Sequence, residues 1–277
     1  MKNDTGLGIA IILGIIVIAA FSGFKNSQNI GTGKTNQNQI ISENPSTDKM
    51  VSVQTAKTEI PEVSLSYVSH STDPSQEYIV IQSRGTNTKT IPITGWTLKS
   101  LSSGTTVNIP KGTELYFQKI VNAEGDVNIS SGDTVYLITG SSPINVSFKL
   151  NKCSGYLEQF QHFNPLIYTS CPSPRNEDLS SIKNISANDA CLDYIDSFPM
   201  CRTQTENLPV TWTYECKNFI ETKLSYSACL NTHKNDKDFY GHEWRLYLKH
   251  GQSLWKSRRE DIVLIDNKGN VVSELKY

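Results

Sequence analysis

What the 277-residue sequence lacks narrows its function before any motif is found. It has no charge excess: 26 basic residues stand against 27 acidic ones, a formal net charge of -1. No long-range field therefore draws in DNA, RNA or an anionic surface, and nucleic acid is excluded as an expected partner. Lys256, Arg258 and Arg259 form the one dense basic cluster, but Glu260 and Asp261 follow at once, so the stretch reads as a solvated turn. None of the six cysteines has the C-x-x-C spacing of a zinc knuckle or a thioredoxin-type redox pair. There is no G-x-S-x-G elbow, phosphate-binding loop, H-E-x-x-H helix or EF-hand loop. His70 and His162 stand alone, as surface or packing residues. No cofactor is expected.

What is present points out of the cytoplasm. All six cysteines lie between Cys153 and Cys229, a distribution that reads as disulfides and so as an oxidising compartment. Gly6 to Phe24 is a run of 19 uncharged residues. At about 1.5 Å of rise each, it matches the roughly 30 Å hydrocarbon core of a bilayer. The run exceeds an ordinary signal-peptide core of about 7 to 15 residues and reads as an uncleaved anchor. The alternative is cleavage at the small residues Val17/Ala19 or Ala20/Ser22, which would leave a secreted chain. The charge difference across the run, Lys2 against Lys25, is too small to set orientation, and the cysteines place the C-terminal bulk outside. Residues 1–5 are then cytoplasmic, 6–24 span the membrane, and 25–62 form a disordered linker with no aromatic residue.

From Val63 the pattern has period two. The segments VSLSYVS, EYIVIQS, IPITGWTLKS, TTVNIP, TELYF, DTVYLITG and INVSFKL are separated by Gly, Pro, Asn, Asp and Ser clusters. That pattern predicts a β-sandwich or barrel, with Trp96 and Leu98 sharing its inner face and Gly95 letting a neighbouring backbone approach. EWRLYLKHG, DIVLID and VVSELKY resume the strands after Gly241, with DNKG as a hairpin turn.

Between the strand-rich parts lies a helical insertion. Asn188 is placed to cap a helix whose stripe is Cys191, Tyr194, Ile195 and Phe198, ended by Pro199. A second helix carries Cys216, Phe219, Ile220 and Leu224 on one side and runs on to Cys229. Helical rise would separate Cys191 from Cys201 by about 15 Å and Cys216 from Cys229 by about 20 Å. A disulfide tolerates roughly 4.4 to 6.8 Å between Cα atoms, so pairing within one helix is excluded. An antiparallel hairpin predicts Cys191 with Cys229 and Cys201 with Cys216, leaving Cys153 for Cys171.

The order Glu77-Tyr78-Ile79-Val80-Ile81, Ile93-Thr94-Gly95-Trp96-Thr97-Leu98 and Ile109-Pro110-Lys111-Gly112-Thr113-x-Leu115 resembles the first half of a lamin-tail domain (LTD). Asp261 to Asp266 with Gly269, Val271, Val272 and Tyr277 is similar to its last hairpin, and Trp255 to a tryptophan the family carries just before it. The resemblance implies an immunoglobulin-like sandwich divided into 63–150 and 243–277, with 151–242 as an insertion foreign to the compact family domain. Tyr78, Trp96, Leu98, Trp255 and Leu264 are its core candidates. It implies attachment or scaffolding, not catalysis, here in a bacterial envelope protein.

The function this supports is a membrane-anchored, extracytoplasmic binding or scaffold module, with a protein or polysaccharide of the envelope as ligand. Tyr156, Phe160, Phe163 and Tyr168 are its exposed aromatic candidates, although the first three match i, i+4, i+7 and would then pack on the sandwich. Edge strands that pair with a neighbour would make it an assembly component instead. The alternative function is a metal-dependent hydrolase using His233, Asp236, Asp238, His242 and Glu243, side chains able to hold zinc or a harder cation. The N-x-S triplets at Asn128, Asn145 and Asn184 matter only in a eukaryotic secretory pathway.

Overall fold

Alternating apolar and polar side chains favour strands, because a strand buries every second residue against a core. A computed structural model describes residues 62–168 and 170–277, and these are mainly sheet with a few short helices and three disulfides. The expected anchor at 6–24, and the expected linker up to residue 61, lie outside the described residues. Among the described residues no helix is long and apolar enough to cross a membrane.

The elements in chain order are β1 (Val63–Ser69), β2 (Tyr78–Ser83), β3 (Ile91–Pro92), β4 (Thr97–Ser100), β5 (Thr106–Asn108), β6 (Asn128–Ile129), β7 (Thr134–Ile138) and β8 (Phe148–Asn151). Helices α1 (Asp189–Ser197), α2 (Tyr214–Lys223) and α3 (Tyr226–His233) follow, then β9 (Tyr240–Tyr247), β10 (Asp261–Ile265) and β11 (Val271–Lys276). One sheet has the order β1-β2-β7-β9-β8, a second β11-β10-β4-β5, and β3 pairs with β6. Every pairing is antiparallel except β7 with β9.

The sheets share one apolar core. Ile79, Ile81, Val135, Leu137, Trp244 and Leu246 enter it from the first sheet, and Leu98, Val107, Ile262 and Leu264 from the second. Trp96 and Trp255 are buried in it. Tyr78 is not: it is half-buried on the opposite face, where it meets Tyr136 at 5.6 Å between ring centroids. Alternation assigns Tyr78 and Ile79 to different faces, and the core takes Ile79. The expected strand TELYF is a loop, because the Asn122 side chain bonds both the N–H (2.7 Å) and the carbonyl (2.9 Å) of Phe117 and bends the chain. Gly95 adopts φ +81, a left-handed turn, and the group approaching it is the Asn267 side chain rather than a backbone.

Two buried carboxylates hold the segment around Trp255. Glu77 is 0% exposed. It accepts from the Thr139 hydroxyl (2.7 Å) and from the N–H groups of Leu254 (2.7 Å) and Trp255 (3.2 Å). Glu260 accepts from Ser100 Oγ (2.7 Å) and from the N–H groups of Lys256 and Asp261 (both 3.0 Å). Burial raises its pKa, but these bonds outweigh burial and hold it below the ordinary value. The basic cluster is thus solvated at Lys256, Arg258 and Arg259, whereas Glu260 beside it is a core residue.

The insertion leaves after β8 and returns in β9, which are antiparallel neighbours with Asn151 opposite Tyr240. One part packs on the outer face of the first sheet, where Phe148, Tyr156, Leu157, Phe163, Ile167 and Phe239 form a second cluster. The other part, α1 with α2, closes its own cluster around Ile195, Phe219 and Ile220. Asn188 precedes α1 without capping it, since its side chain donates to Lys183 O (2.7 Å) and accepts from Thr213 Oγ1 (2.7 Å).

All six cysteines are paired, but as Cys153–Cys229, Cys171–Cys201 and Cys191–Cys216. Each of the three pairings expected from a helical hairpin is corrected. The long second helix is two helices: Ser225 caps α3 by accepting from Ala228 N–H (3.2 Å), and the chain turns there. Cys229 is thereby carried to Cys153 at the end of β8, which leaves Cys216 facing Cys191 across α1 and α2. Cys201 lies beyond Pro199 in a left-handed conformation (φ 59) and reaches Cys171.

Chain-entropy arithmetic for the separations of 25 and 76 residues gives about 3.5 and 4.5 kcal/mol of stabilisation for Cys191–Cys216 and Cys153–Cys229. Replacing Cys191 and Cys216 by serine should expose the α1–α2 lobe to protease while leaving the two sheets folded. Replacing Glu77 by alanine, which strands two N–H donors, should lower stability by about 3 kcal/mol in urea unfolding, against under about 0.5 kcal/mol for exposed Glu124→Ala.

Candidate functional site

The parallel register of β7 and β9 sets Thr134 opposite Glu243 and Tyr136 opposite Arg245. Since Trp244 and Leu246 enter the core, Glu243, Arg245 and Tyr247 fall on the outer face, under the insertion. Arg245 is 1% exposed there. It donates through Nε to Glu243 Oε1 (2.5 Å), through Nη1 to Pro165 O (2.6 Å) and through Nη2 to Leu166 O (3.1 Å). Its guanidinium carbon lies 4.4 Å from the centre of the Tyr136 ring. A planar fork that satisfies a carboxylate, two carbonyls and an aromatic face is a job for arginine rather than lysine.

Beside this clamp opens a groove of about 430 Å³. Tyr136 and Thr134 of β7, Lys152 after β8, Tyr168 and Ser170 of the insertion, and Asp238, His242 and Glu243 line it. Burial raises the Glu243 carboxyl above its ordinary pKa, and the charge and hydrogen bond of Arg245 only partly reverse this.

The five residues of the expected metal cluster are divided among three separate sets of contacts. His233, at the end of α3, contacts Glu177 through Nε2 (3.0 Å) and Asp236 through Nδ1 (2.9 Å). Lys152 reaches Asp236 (2.9 Å) and Asp238 (2.7 Å). His242 instead contacts buried Asp133 (2.8 Å), and Glu243 contacts Arg245. Asp238, His242 and Glu243 share the groove, but among the described residues no three His, Cys, Asp or Glu side chains converge on a common ion position.

Of the aromatic candidates, Tyr156 and Phe163 are buried, Phe160 is 56% exposed and Tyr168 is 87% exposed. The segment Ser154–Gln159 is a 3-10 helix with about three residues per turn, so the α-helical spacing that grouped Phe160 with the other two does not apply. Sequence reasoning missed Arg245, Asp133 and Lys152. The one available signal was Arg245 itself, a charge between Trp244 and Leu246 in a strand whose outer face also carries Tyr247.

Burial lowers the His233 pKa, but hydrogen bonds and charge from Glu177 and Asp236 outweigh it and hold it above the ordinary 6.5. A base with a raised folded pKa contributes stability that is fully present below its unfolded value and lost as pH rises through its folded one. Stability should therefore fall as pH rises from about 6.5 through the folded His233 value, and His233→Gln should flatten that limb in denaturation curves.

Compared with known protein families the chain matches none, and comparison with curated proteins finds no match either.

Proposed function

We propose that this chain is a membrane-anchored, extracytoplasmic binding or scaffold module of the cell envelope, built on an immunoglobulin-like sandwich of lamin-tail type, and that it is not a catalyst. The observation that carries the reading is the pairing of all six cysteines in three disulfides. Such a set persists in an oxidising compartment and not against cytosolic thiols. Two sheets on one core, with strands from both ends of the described chain, also fit the lamin-tail resemblance. A framework braced by buried carboxylates and disulfides, with a groove held between insertion and sheet, suits recognition.

The alternative, a metal-dependent hydrolase, draws support from the raised Glu243 carboxyl at the groove. Its metal is the weaker half, given how His233 and Asp236 are engaged away from His242 and Glu243.

In bacterial spheroplasts expressing the full chain, a membrane-impermeant amine label should modify exposed Lys237 and Lys268 before lysis, and the chain should sediment with alkali-washed membranes. Labelling only after lysis contradicts the placement. Recovery in the soluble fraction contradicts the anchor.

A further inference from the structure

We propose that the groove over β7, β8 and β9 is a binding site for a neutral saccharide, with Tyr168 as the stacking platform and Glu243 as a hydrogen-bonding group beneath it. The inference rests on the reading of the chain as a binding module and gives that module its ligand class.

The floor of the groove excludes one common mode of recognition. It is built on β9, which is hydrogen-bonded to β7 on one side and β8 on the other. A peptide cannot add to β9, which has no free edge, so over β9 recognition falls to side chains. The ionisable groups of the groove are engaged with one another or with neighbours: Lys152 contacts Asp236 (2.9 Å) and Asp238 (2.7 Å), His242 contacts Asp133 (2.8 Å) and Glu243 contacts Arg245 (2.5 Å). None of these side chains is left without a partner to select an anion or a cation.

What remains is suited to hydroxyl groups. Glu243 Oε2, the Tyr136 and Tyr168 phenols and the Ser170 hydroxyl line the groove and make no hydrogen bond among the described residues. Burial keeps the Glu243 carboxyl partly protonated to higher pH than usual, and a protonated carboxyl both donates and accepts, as sugar hydroxyls do. Tyr168 is 87% exposed and packs against no other ring among the described residues. An aromatic face held open at a polar groove is a surface for the C–H face of a pyranose ring. The volume of about 430 Å³ lies within the range of small-ligand pockets, about 300 to 1,000 Å³.

The full chain in detergent micelles is titrated calorimetrically with cellotetraose, maltotetraose and chitotetraose. At least one should bind saturably, with an affinity that changes by less than about twofold between ~0.05 and ~0.5 M NaCl, because no charge pairing with the ligand is involved. Tyr168→Ala should weaken it by about tenfold or more and Glu243→Gln by about threefold, while Tyr214→Ala, an exposed ring on the α1–α2 lobe, should not change it. Tyr168→Ala should melt at the wild-type temperature, which separates lost binding from lost folding. Failure of all three sugars to bind, unchanged affinity in Tyr168→Ala, or binding that collapses with salt would each overturn the inference. A chain found facing the cytoplasm would overturn the proposed placement alone, because the titration decides the sugar site whichever way the chain faces.

Discussion

The buried guanidinium of Arg245 is the constraint on which the described structure turns. It stands on β9, between two strands of the larger sheet, and its three donor contacts reach into two different layers. Glu243 belongs to the sheet, and the carbonyls of Pro165 and Leu166 to the insertion. An isolated cation at this depth costs several kcal/mol, so each partner is needed, and the insertion cannot lift without stripping the guanidinium of two of its three acceptors. The same contacts fix the backbone just before Tyr168, and so the wall of the groove. The Glu243 carboxyl is affected too, held in a desolvated place by the cation that partly offsets its cost.

The rest of the molecule repeats this device in other chemistry. Glu77 and Glu260 are buried carboxyl groups that accept from backbone N–H groups at and around Trp255, closing the segment that carries the chain from β9 to β10. Where the insertion leaves the sheet, disulfides take over. Cys153–Cys229 ties α3 to the end of β8, and Cys191–Cys216 holds a lobe with a small apolar cluster of its own. Polar and covalent ties thus appear where chain segments meet without a sheet register between them.

Much of the sheet framework was legible in the sequence, because period-two alternation is local. Leu98 and Leu264 occupy the shared core as strand residues do, and Trp96, just before β4, and Trp255, from a loop, join them. Tyr78 shows the limit of that reasoning: alternation sorts residues into two faces but does not say which face is the core, and here the insertion buries much of the other. The disulfide pairing was illegible for a related reason. It turns on one helix break at Ser225, and a serine inside an apolar stripe is a weak signal until its cap bond is seen. Glu77, Asp133, Arg245 and Glu260 were the hardest residues to find, because a charged residue in a sequence marks solvent unless its partners, often far away in the chain, are known.

The most direct measurement is hydrogen exchange at the Ile167 amide, in the full chain and in Arg245→Met. That N–H donates to Glu158 Oε1 (2.6 Å), so it reports whether the segment after Pro165 stays docked. If Arg245 is the clamp, the variant should exchange faster at Ile167 by about 100-fold, with amides of β2 and β10 unchanged. Equal protection at Ile167 in both proteins would show that apolar packing alone holds the insertion, and would contradict the account.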